Sequence, residues 1–341
     1  MHSMSIILMD RKRYAGTLGL FFLFFLATLA ITPLIGLTHI DLGKALSSDI
    51  AFSDNVDANI LFLVRIPRIF LAALTGGALS VAGAVFQCLL RNDLAAPFTL
   101  GVSSGAALGA VIAISLGLSY TVMGIPTVPI AAFLGALGAI TLVFSLSRTR
   151  TGEFPTTVLL LAGVTANFFF AAMVMFIHYL SDFTQSFRIV RWLMGGLDIT
   201  DYKTLLSICP MIFIGFSILM LIGRDLNLIS TGVQSAMSRG VDVIKVQKIG
   251  FVMASLLTGT VVAVSGPIGF VGLIVPHIVR LLVGPDLRLL LPASMFFGAS
   301  FLILCDTVAR TIIAPTEIPV GIITAVLGGP FFVWLLKRPK Q

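Results

Sequence analysis

Charged residues are scarce in this chain: Asp, Glu, Lys and Arg make up 11% of the 341 residues, whereas 57% are hydrophobic. This balance excludes an ordinary soluble globular domain, in which about a quarter of the residues are charged. Long windows contain no charged residue, and each can cross about 30 Å of hydrocarbon as a helix. The windows are apolar on every face, whereas an outer-membrane barrel requires alternating polarity. The sequence therefore predicts an all-α, polytopic membrane protein.

Several kinds of chemistry lack their usual sequence signatures. No G-x-x-x-x-G-K-[ST] string occurs, so the chain has no P-loop to hold nucleotide phosphates. Cys88, Cys209 and Cys305 lie far apart in apolar windows, without metal-ligand spacing or a paired framework. A His-x-x-x-His motif with Glu and a pair of aspartates in apolar surroundings are also missing, which argues against an intramembrane enzyme. We therefore expect a chain that is not an enzyme and holds no metal or cofactor.

The uncharged windows predict about ten spans in a single transmembrane domain over residues 1–341. The window at 94–147 breaks near Gly124 and Pro126, and the window at 249–279 is divided at Gly266 into a full span and a short, irregular eighth span. The other windows are 14–38, 69–90, 154–181, 204–223, 289–305 and 318–336. The predicted organisation is a first span at 15–37, a coupling loop at 224–248 and the last four spans at 249–336.

Lys and Arg form short clusters between the apolar windows, which indicates topology and not a basic face for nucleic acid. The cluster at residues 11–13 also suits a signal peptide, but the apolar run after it is long for one and no A-x-A site follows. With a retained first span that starts in the cytoplasm, the cytoplasmic segments hold about two-thirds of all Lys and Arg, as the positive-inside rule requires. Both termini are then cytoplasmic, and residues 310–317 form an outer loop.

The coupling loop carries signals for one short helix. Thr231 is a fair N-cap and Gly240 a fair C-terminal stop for two helical turns. Val233 and Met237 would lie one turn apart, and Arg239 would lie close to the negative end of the helix dipole. The helix is either a connector on the membrane surface or a coupling helix that docks into a cytoplasmic motor domain. These residues alone leave both interpretations open.

Several blocks of sequence resemble the permease family of ABC importers for iron chelates, haem and cobalamin. The longest block runs from Gly266 to Arg280 and reads G-P-I-G-F-V-G-L-I-V-P-H-I-V-R. The resemblance covers most of the chain and implies a dimer of ten-span permeases in a bacterial or archaeal cytoplasmic membrane. It also implies two ATPase subunits that bind ATP and an extracytoplasmic binding protein that delivers substrate. The other matching blocks are residues 65–68, 87–94, 100–106, 192–195, 306–310, 318–321 and 329–332.

At the outer face, the resemblance assigns a docking role to three arginines. Arg65, Arg68 and Arg310 match family arginines that pair with carboxylates of the binding protein, and bidentate pairing would orient that partner. Arg310 also has a local alternative, because Asp306 lies one helical turn away and could neutralise it.

At the inner face, the resemblance assigns a cytoplasmic gate to Asn92, Leu94, Thr156 and Thr157. In the family, short side chains at these positions close the pathway between two subunits. The alternative for Thr156 and Thr157 is N-capping of a helix after Pro155.

The chain departs from the family pattern beside this gate. Asp93 stands where the family usually has Pro, Ala96 where it usually has Asp, and Pro155 at a position that is more often polar. Compared with the family pattern, the acidic residue of this segment therefore stands at position 93 and not at position 96.

The expected function is therefore that of an importer permease that moves an iron chelate, either a siderophore complex or haem, by alternating access. Cobalamin is the alternative substrate, and the second permease subunit is either another copy or a related chain. An ion-coupled secondary transporter is a weaker alternative, since such proteins ordinarily carry ionisable groups deep in their spans, and the span centres here show no carboxylate.

Overall fold

The structure is a computed structural model that describes residues 11–36, 38–47, 51–118, 120–122, 124–147, 155–198, 201–313 and 315–337. The described part of the chain is almost entirely helical. Short 3-10 turns lie at Thr32–Leu34 and Pro97–Leu100, and a π-helical segment, Ile60–Arg65, joins two α-helices. The elements in chain order are α1 (Arg11–Ile31), α2 (Leu42–Ala45), α3 (Val56–Asn59), α4 (Ile66–Leu90), α5 (Val102–Ser115), β1 (Thr121–Val122), β2 (Ile125–Pro126), α6 (Thr127–Ser147), α7 (Thr156–Leu180), α8 (Phe183–Leu193), α9 (Tyr202–Leu221), α10 (Gly223–Thr231), α11 (Val233–Ser238), α12 (Val243–Ser265), α13 (Val271–Val283), α14 (Leu287–Thr311) and α15 (Val320–Lys337).

The prediction of an all-helical, polytopic membrane protein is confirmed. Among the described residues, seven helices are long and apolar enough to cross a membrane, and three shorter apolar helices, α5, α13 and α15, lie at the positions of the other three predicted spans. The short eighth span, α13, follows α12 after an irregular segment in which Gly266 and Phe270 have φ values of +66° and +67°. A left-handed conformation at a bulky residue such as Phe270 interrupts the helix. The antiparallel pair β1–β2 was not predicted.

Spans two and nine extend further than the uncharged windows. Arg65 and Arg68 lie inside the continuous helical stretch Val56–Leu90, and Arg310 lies inside α14. The prediction that Arg310 lies in an outer loop is therefore wrong. Ending a predicted span at its first charged residue makes the span too short here. The helices continue through these charged residues because partners inside the protein compensate them.

Helix α4 lies at the centre of the bundle, with 89% of its apolar window buried against 17% for α1. Small residues allow this position. A Cβ atom added to Gly76 would overlap the carbonyl oxygen of Gly298 on α14, and one added to Gly83 would overlap that of Gly272 on α13. The backbones of α4, α13 and α14 therefore touch directly.

The first span packs on the outside of this centre. Phe21 is buried, with its ring centroid 6.0 Å from that of Phe297 on α14, and Phe22 and Phe296 are 5.2 Å apart. These edge-on pairs fix α1 against the ninth span.

Candidate functional site

The coupling loop contains two short helices, α10 and α11, that are separated at Gly232, and its last residues already belong to α12, which begins at Val243. The prediction that Thr231 is an N-cap is wrong, since it is the last residue of α10 and its Oγ1 donates a hydrogen bond to the carbonyl of Leu228 at 2.8 Å. Gly232 has a φ of +147°, and α11 begins after it without a side-chain cap. This backbone conformation strongly favours glycine, so the break falls at Gly232 and not at Thr231.

Gly240 ends the short helix, as predicted. Its φ is +82°, its N–H donates to the carbonyl of Met237 at 2.9 Å, and the N–H of Val241 donates to that of Ala236 at 3.1 Å. These two bonds define a Schellman motif, which satisfies the last carbonyls of a helix.

The side chains of α11 divide between the protein and the solvent. Val233 is partly buried against the main core, whereas Met237 is 52% exposed. Arg239, the C-cap residue, is also exposed. The short helix therefore presents a flexible apolar side chain and a cation away from the bundle.

Helix α10 is attached to the end of α4. The Nη2 of Arg91 donates to the carbonyl of Ile229 at 2.6 Å, and the Sγ of Cys88 donates to that of Leu226 at 3.3 Å. These bonds satisfy carbonyls of α10 with side chains from the second span, so the two elements are held together.

A second set of contacts joins the start of α14 to both α10 and α1. The Nδ2 of Asn227 donates to Asp286 Oδ1 at 2.7 Å, and the backbone N–H of Leu287 donates to Asn227 Oδ1 at 2.8 Å. The hydroxyl of Tyr14 donates to the carbonyl of Arg288 at 2.7 Å. We call the end of the bundle that holds these contacts the inner end.

The surroundings of Asp286 favour its ionised form. Burial raises the pKa of its carboxyl group, but hydrogen bonds from Arg288 and Asn227 outweigh that effect and hold the pKa below its ordinary value. As the N-cap of α14, Asp286 also accepts a backbone hydrogen bond from Arg288.

The predicted gate residues lie at the inner end in two segments. Asn92 and Leu94 belong to the exposed segment 91–94, here called the gate loop, in which Asn92 Oδ1 accepts a hydrogen bond from Leu94 N at 2.9 Å. The following 3-10 turn packs on α7, because Gly163 lies directly against the backbone of Leu100. The gate loop and the start of α7 are therefore brought to the same end of the bundle.

The capping alternative for Thr156 and Thr157 is wrong. The N-cap of α7 is Pro155, which makes no side-chain cap, and α7 begins at Thr156. Thr156 is partly buried and Thr157 is exposed.

Sequence reasoning missed an ion pair beside the gate. Asp93 accepts a hydrogen bond from Nη1 of Arg280 near the end of α13, and Nη2 of the same guanidinium donates to Gln87 Oε1 at 2.8 Å. The sequence signal for this ion pair was the unusual acidic residue at position 93. Its partner could not be predicted, because only the fold brings Arg280 next to it.

A buried charge cluster lies at the opposite end, here called the outer end. Arg68 donates through Nε and Nη2 to Asp306 at 3.0–3.1 Å, and through Nη1 to Glu317 at 2.7 Å. The Asp306 side chain is only 1% exposed, whereas that of Glu317 is 42% exposed. A cavity of about 480 Å³ lies beside the Arg68–Glu317 pair.

Arg310 and Arg65 complete this outer charge cluster. The Nε of Arg310 lies 3.1 Å from Asp306 Oδ2, the local neutralisation named as its alternative. This contact lacks hydrogen-bond geometry, and Arg310 Nε and Nη2 have no hydrogen-bond partner among the described residues. Arg65 donates to the carbonyl of Pro33 at 2.7 Å and to Thr38 Oγ1 at 3.2 Å. The three arginines are only 4–7% exposed in this single chain.

Comparisons with known proteins cover nearly the whole chain. The FecCD transport family matches residues 20–338. The cobalamin import permease BtuC of Halobacterium salinarum is 43% identical over 82% of this chain and 73% of its own length, and the hemin permease HmuU of Yersinia pestis is 40% identical over 82% and 83%. A solved metal-chelate type ABC transporter in an inward-facing conformation is 32% identical, with a TM-score of 0.82 over 96% of this chain and all of its own. The chain therefore belongs to the FecCD transport family.

Proposed function

We propose that this chain is the membrane-spanning permease subunit of an ATP-driven importer that moves an iron chelate by alternating access. The coupling loop is the observation that carries the proposal. It is attached to α4 through Arg91 and to α14 through Asn227, while Met237 and Arg239 are exposed. Force applied to the exposed face of α11 would therefore reach two spans at once.

The proposed assembly contains several other chains. Two cytoplasmic ATPase subunits bind and hydrolyse ATP, and a second permease subunit, most simply another copy, completes the pathway. An extracytoplasmic binding protein delivers the substrate. The chain contributes residues 1–341 as one transmembrane domain in the lipid of a bacterial or archaeal cytoplasmic membrane, with both termini in the cytoplasm.

The charge balance at the outer end supports docking of the binding protein at Arg65, Arg68 and Arg310. Arg68 and Arg310 contact the two carboxylates of Asp306 and Glu317, whereas Arg65 binds neutral oxygens of Pro33 and Thr38. Among the described residues, the outer charge cluster therefore carries one excess positive charge, and Arg310 keeps donors without acceptors. A carboxylate of the binding protein would supply the missing acceptor. The exposed Glu317 would have to move aside to admit it.

The inner gate is proposed at Asn92 and Leu94 on the gate loop together with Thr156 and Thr157 at the start of α7. Support comes from their common position at the inner end and from the family pattern. In a dimer, the matching residues of both subunits would narrow the pathway.

Iron chelate leads over cobalamin as substrate because more of the named relatives are permeases for hemin, iron chelatin or ferric citrate than for cobalamin. An ion-coupled secondary transporter has less support. The one fully buried carboxylate among the described residues, Asp306, is already compensated by two arginines, whereas a coupling carboxylate must bind and release its ion.

Uptake of labelled ferric siderophore, haem and cobalamin by the host strain, with and without this gene, tests the proposal. We expect iron-chelate uptake to be lost in the deletion strain and restored by the wild-type gene. Depleting ATP should abolish uptake, whereas collapsing the proton gradient alone should not. Loss of cobalamin uptake alone would overturn the substrate, and dependence on the proton gradient alone would overturn the ATP-driven mechanism.

A further inference from the structure

The gate loop is held from two sides by arginine contacts. Arg91, at its start, has a φ of +47° and binds α10 through the carbonyl of Ile229. Asp93, two residues later, pairs with Arg280 of α13. The loop thus links the coupling loop on one side to the eighth span on the other.

Arg280, the partner of Asp93, lies on α13, and α13 is fixed against α4. Their backbones touch at Gly83 and Gly272, where no side chain separates them. Gln87 continues this contact, since its Oε1 accepts from Arg280 and its Nε2 donates to the carbonyl of Leu273 at 3.4 Å. The guanidinium of Arg280 therefore has a defined position, and the exposed gate loop is the partner free to leave it.

We infer that Asp93 is a positioning residue for the gate: its ion pair with Arg280 holds Asn92 and Leu94 in the observed arrangement and breaks when the loop moves. This inference rests on the proposed function. The Asp93 side chain is 64% exposed and that of Arg280 is 22% exposed, so water competes for the pair and its contribution is small. Such a contact biases a moving loop without locking it.

Two neighbouring polar side chains among the described residues, Arg91 and Gln87, have partners of their own. The guanidinium of Arg91 binds Ile229, and the amide of Gln87 bridges Arg280 and Leu273. Asp93 is therefore the acidic partner of Arg280. In the sequence it lies directly between the two proposed gate residues of its loop, Asn92 and Leu94.

Thiol labelling of a Leu94→Cys reporter in inside-out membrane vesicles tests the inference, with an impermeant maleimide as probe. Adding Asp93→Asn should raise the labelling rate about threefold, the scale expected for loss of one exposed ion pair. Asp93→Glu should stay near the reporter rate, and the exchanged pair Asp93→Arg with Arg280→Asp should return towards it. If Asp93 only supports folding, exchanging the two charges should not restore the labelling rate of the reporter.

A matched control breaks a second exposed ion pair at the outer end. Asp198 accepts from Arg191 at 3.1 Å, and Asp198→Asn should leave labelling at position 94 unchanged. Rates are normalised to the amount of membrane-inserted protein. Unchanged labelling in Asp93→Asn, or an equal rise in Asp198→Asn, would overturn the inference. Failure of the proposed function would show separately, as unaltered uptake in the deletion strain.

Discussion

Glycine has two different roles at the residue scale in this chain. Gly83 permits direct contact between α4 and α13, whereas Gly240 supplies the left-handed end of α11. The first role depends on the absent Cβ and the second on backbone freedom. Different substitutions therefore separate them.

Gly83→Ala should destabilise the protein by about 1–3 kcal/mol, because its Cβ would overlap the carbonyl oxygen of Gly272 and force the two spans apart. Gly138→Ala is the matched control, since a Cβ there meets nothing within 4 Å and alanine favours a helix. Thermal unfolding in detergent measures both. An equal midpoint for Gly83→Ala and the wild type would contradict direct backbone contact.

Gly240→Val should strain the end of α11 and weaken binding of the ATPase subunits, because a β-branched residue at a φ of +82° costs about 1–2 kcal/mol or more. Gly240→Asn should be milder, since asparagine tolerates this conformation. Copurification of the ATPase with each variant is the measurement. Full copurification with the valine variant would argue against α11 as the joint.

Individual residue types were informative when their backbone requirement was specific. Gly240 was correctly predicted as a helix end, whereas Thr231 was assigned a cap that it does not make. Thr231 and Gly232 are both residue types that occur at helix boundaries. The local sequence pattern does not show which of the two neighbours adopts the non-helical backbone conformation.

At the scale of elements, polar contacts at the helix ends connect the spans. Asn227 and Asp286 join α10 to α14, and Asp306 joins α4 to α14 at the other end. The first contact is reachable by water and the second is buried, so their loss should have different consequences.

Asp286→Asn should lower the stability of the inner end, and the loss should depend on pH. The pKa of Asp286 is lowered in the folded protein, so its ionised form stabilises the fold above the ordinary value of 3.8. That contribution disappears as the pH falls through the folded pKa, which lies below this value. Unfolding of wild type and variant in detergent should therefore differ at pH 6, and the difference should shrink only as the pH falls below 3.8 and through the folded pKa. A constant difference across this range would contradict the assignment.

Asp306→Asn should be more damaging, by about 3–5 kcal/mol, because it leaves the buried guanidinium groups of Arg68 and Arg310 without their shared carboxylate. Glu317→Gln removes a carboxylate that is 42% exposed and should cost much less. Expression level and thermal unfolding in detergent compare the two. Similar values for both variants would contradict a structural role for Asp306.

At the scale of the whole molecule, the sites divide between two ends of the helical bundle. The coupling loop, the gate loop and Asp286 lie at the inner end, whereas the outer charge cluster lies at the other. This division agrees with the alternation of loops along ten spans.

Thiol labelling tests the orientation of the bundle in the membrane. Ser53→Cys, in the acidic segment before the second span, should react with an impermeant maleimide in intact cells or spheroplasts. Ser238→Cys, on α11, should react only after the membrane is opened. The chain with only its own cysteines gives the background, which should be low because Cys88 and Cys305 are buried and the partly buried Cys209 lies inside the apolar helix α9. The reverse pattern would invert the topology.

The sequence by itself determined the class of protein, the positions of its apolar helices and the family. Hydrophobic length and the spacing of charges act locally along the chain, so they are readable without a structure. Tertiary structure alone decided that Arg68 pairs with Asp306, 238 residues away, and that Asp93 faces Arg280, 187 residues away. Such contacts depend on how close two helices come, and that distance is set by which small residues meet across the interface. Gly83 against Gly272 is one such meeting, and no local pattern in the chain specifies it.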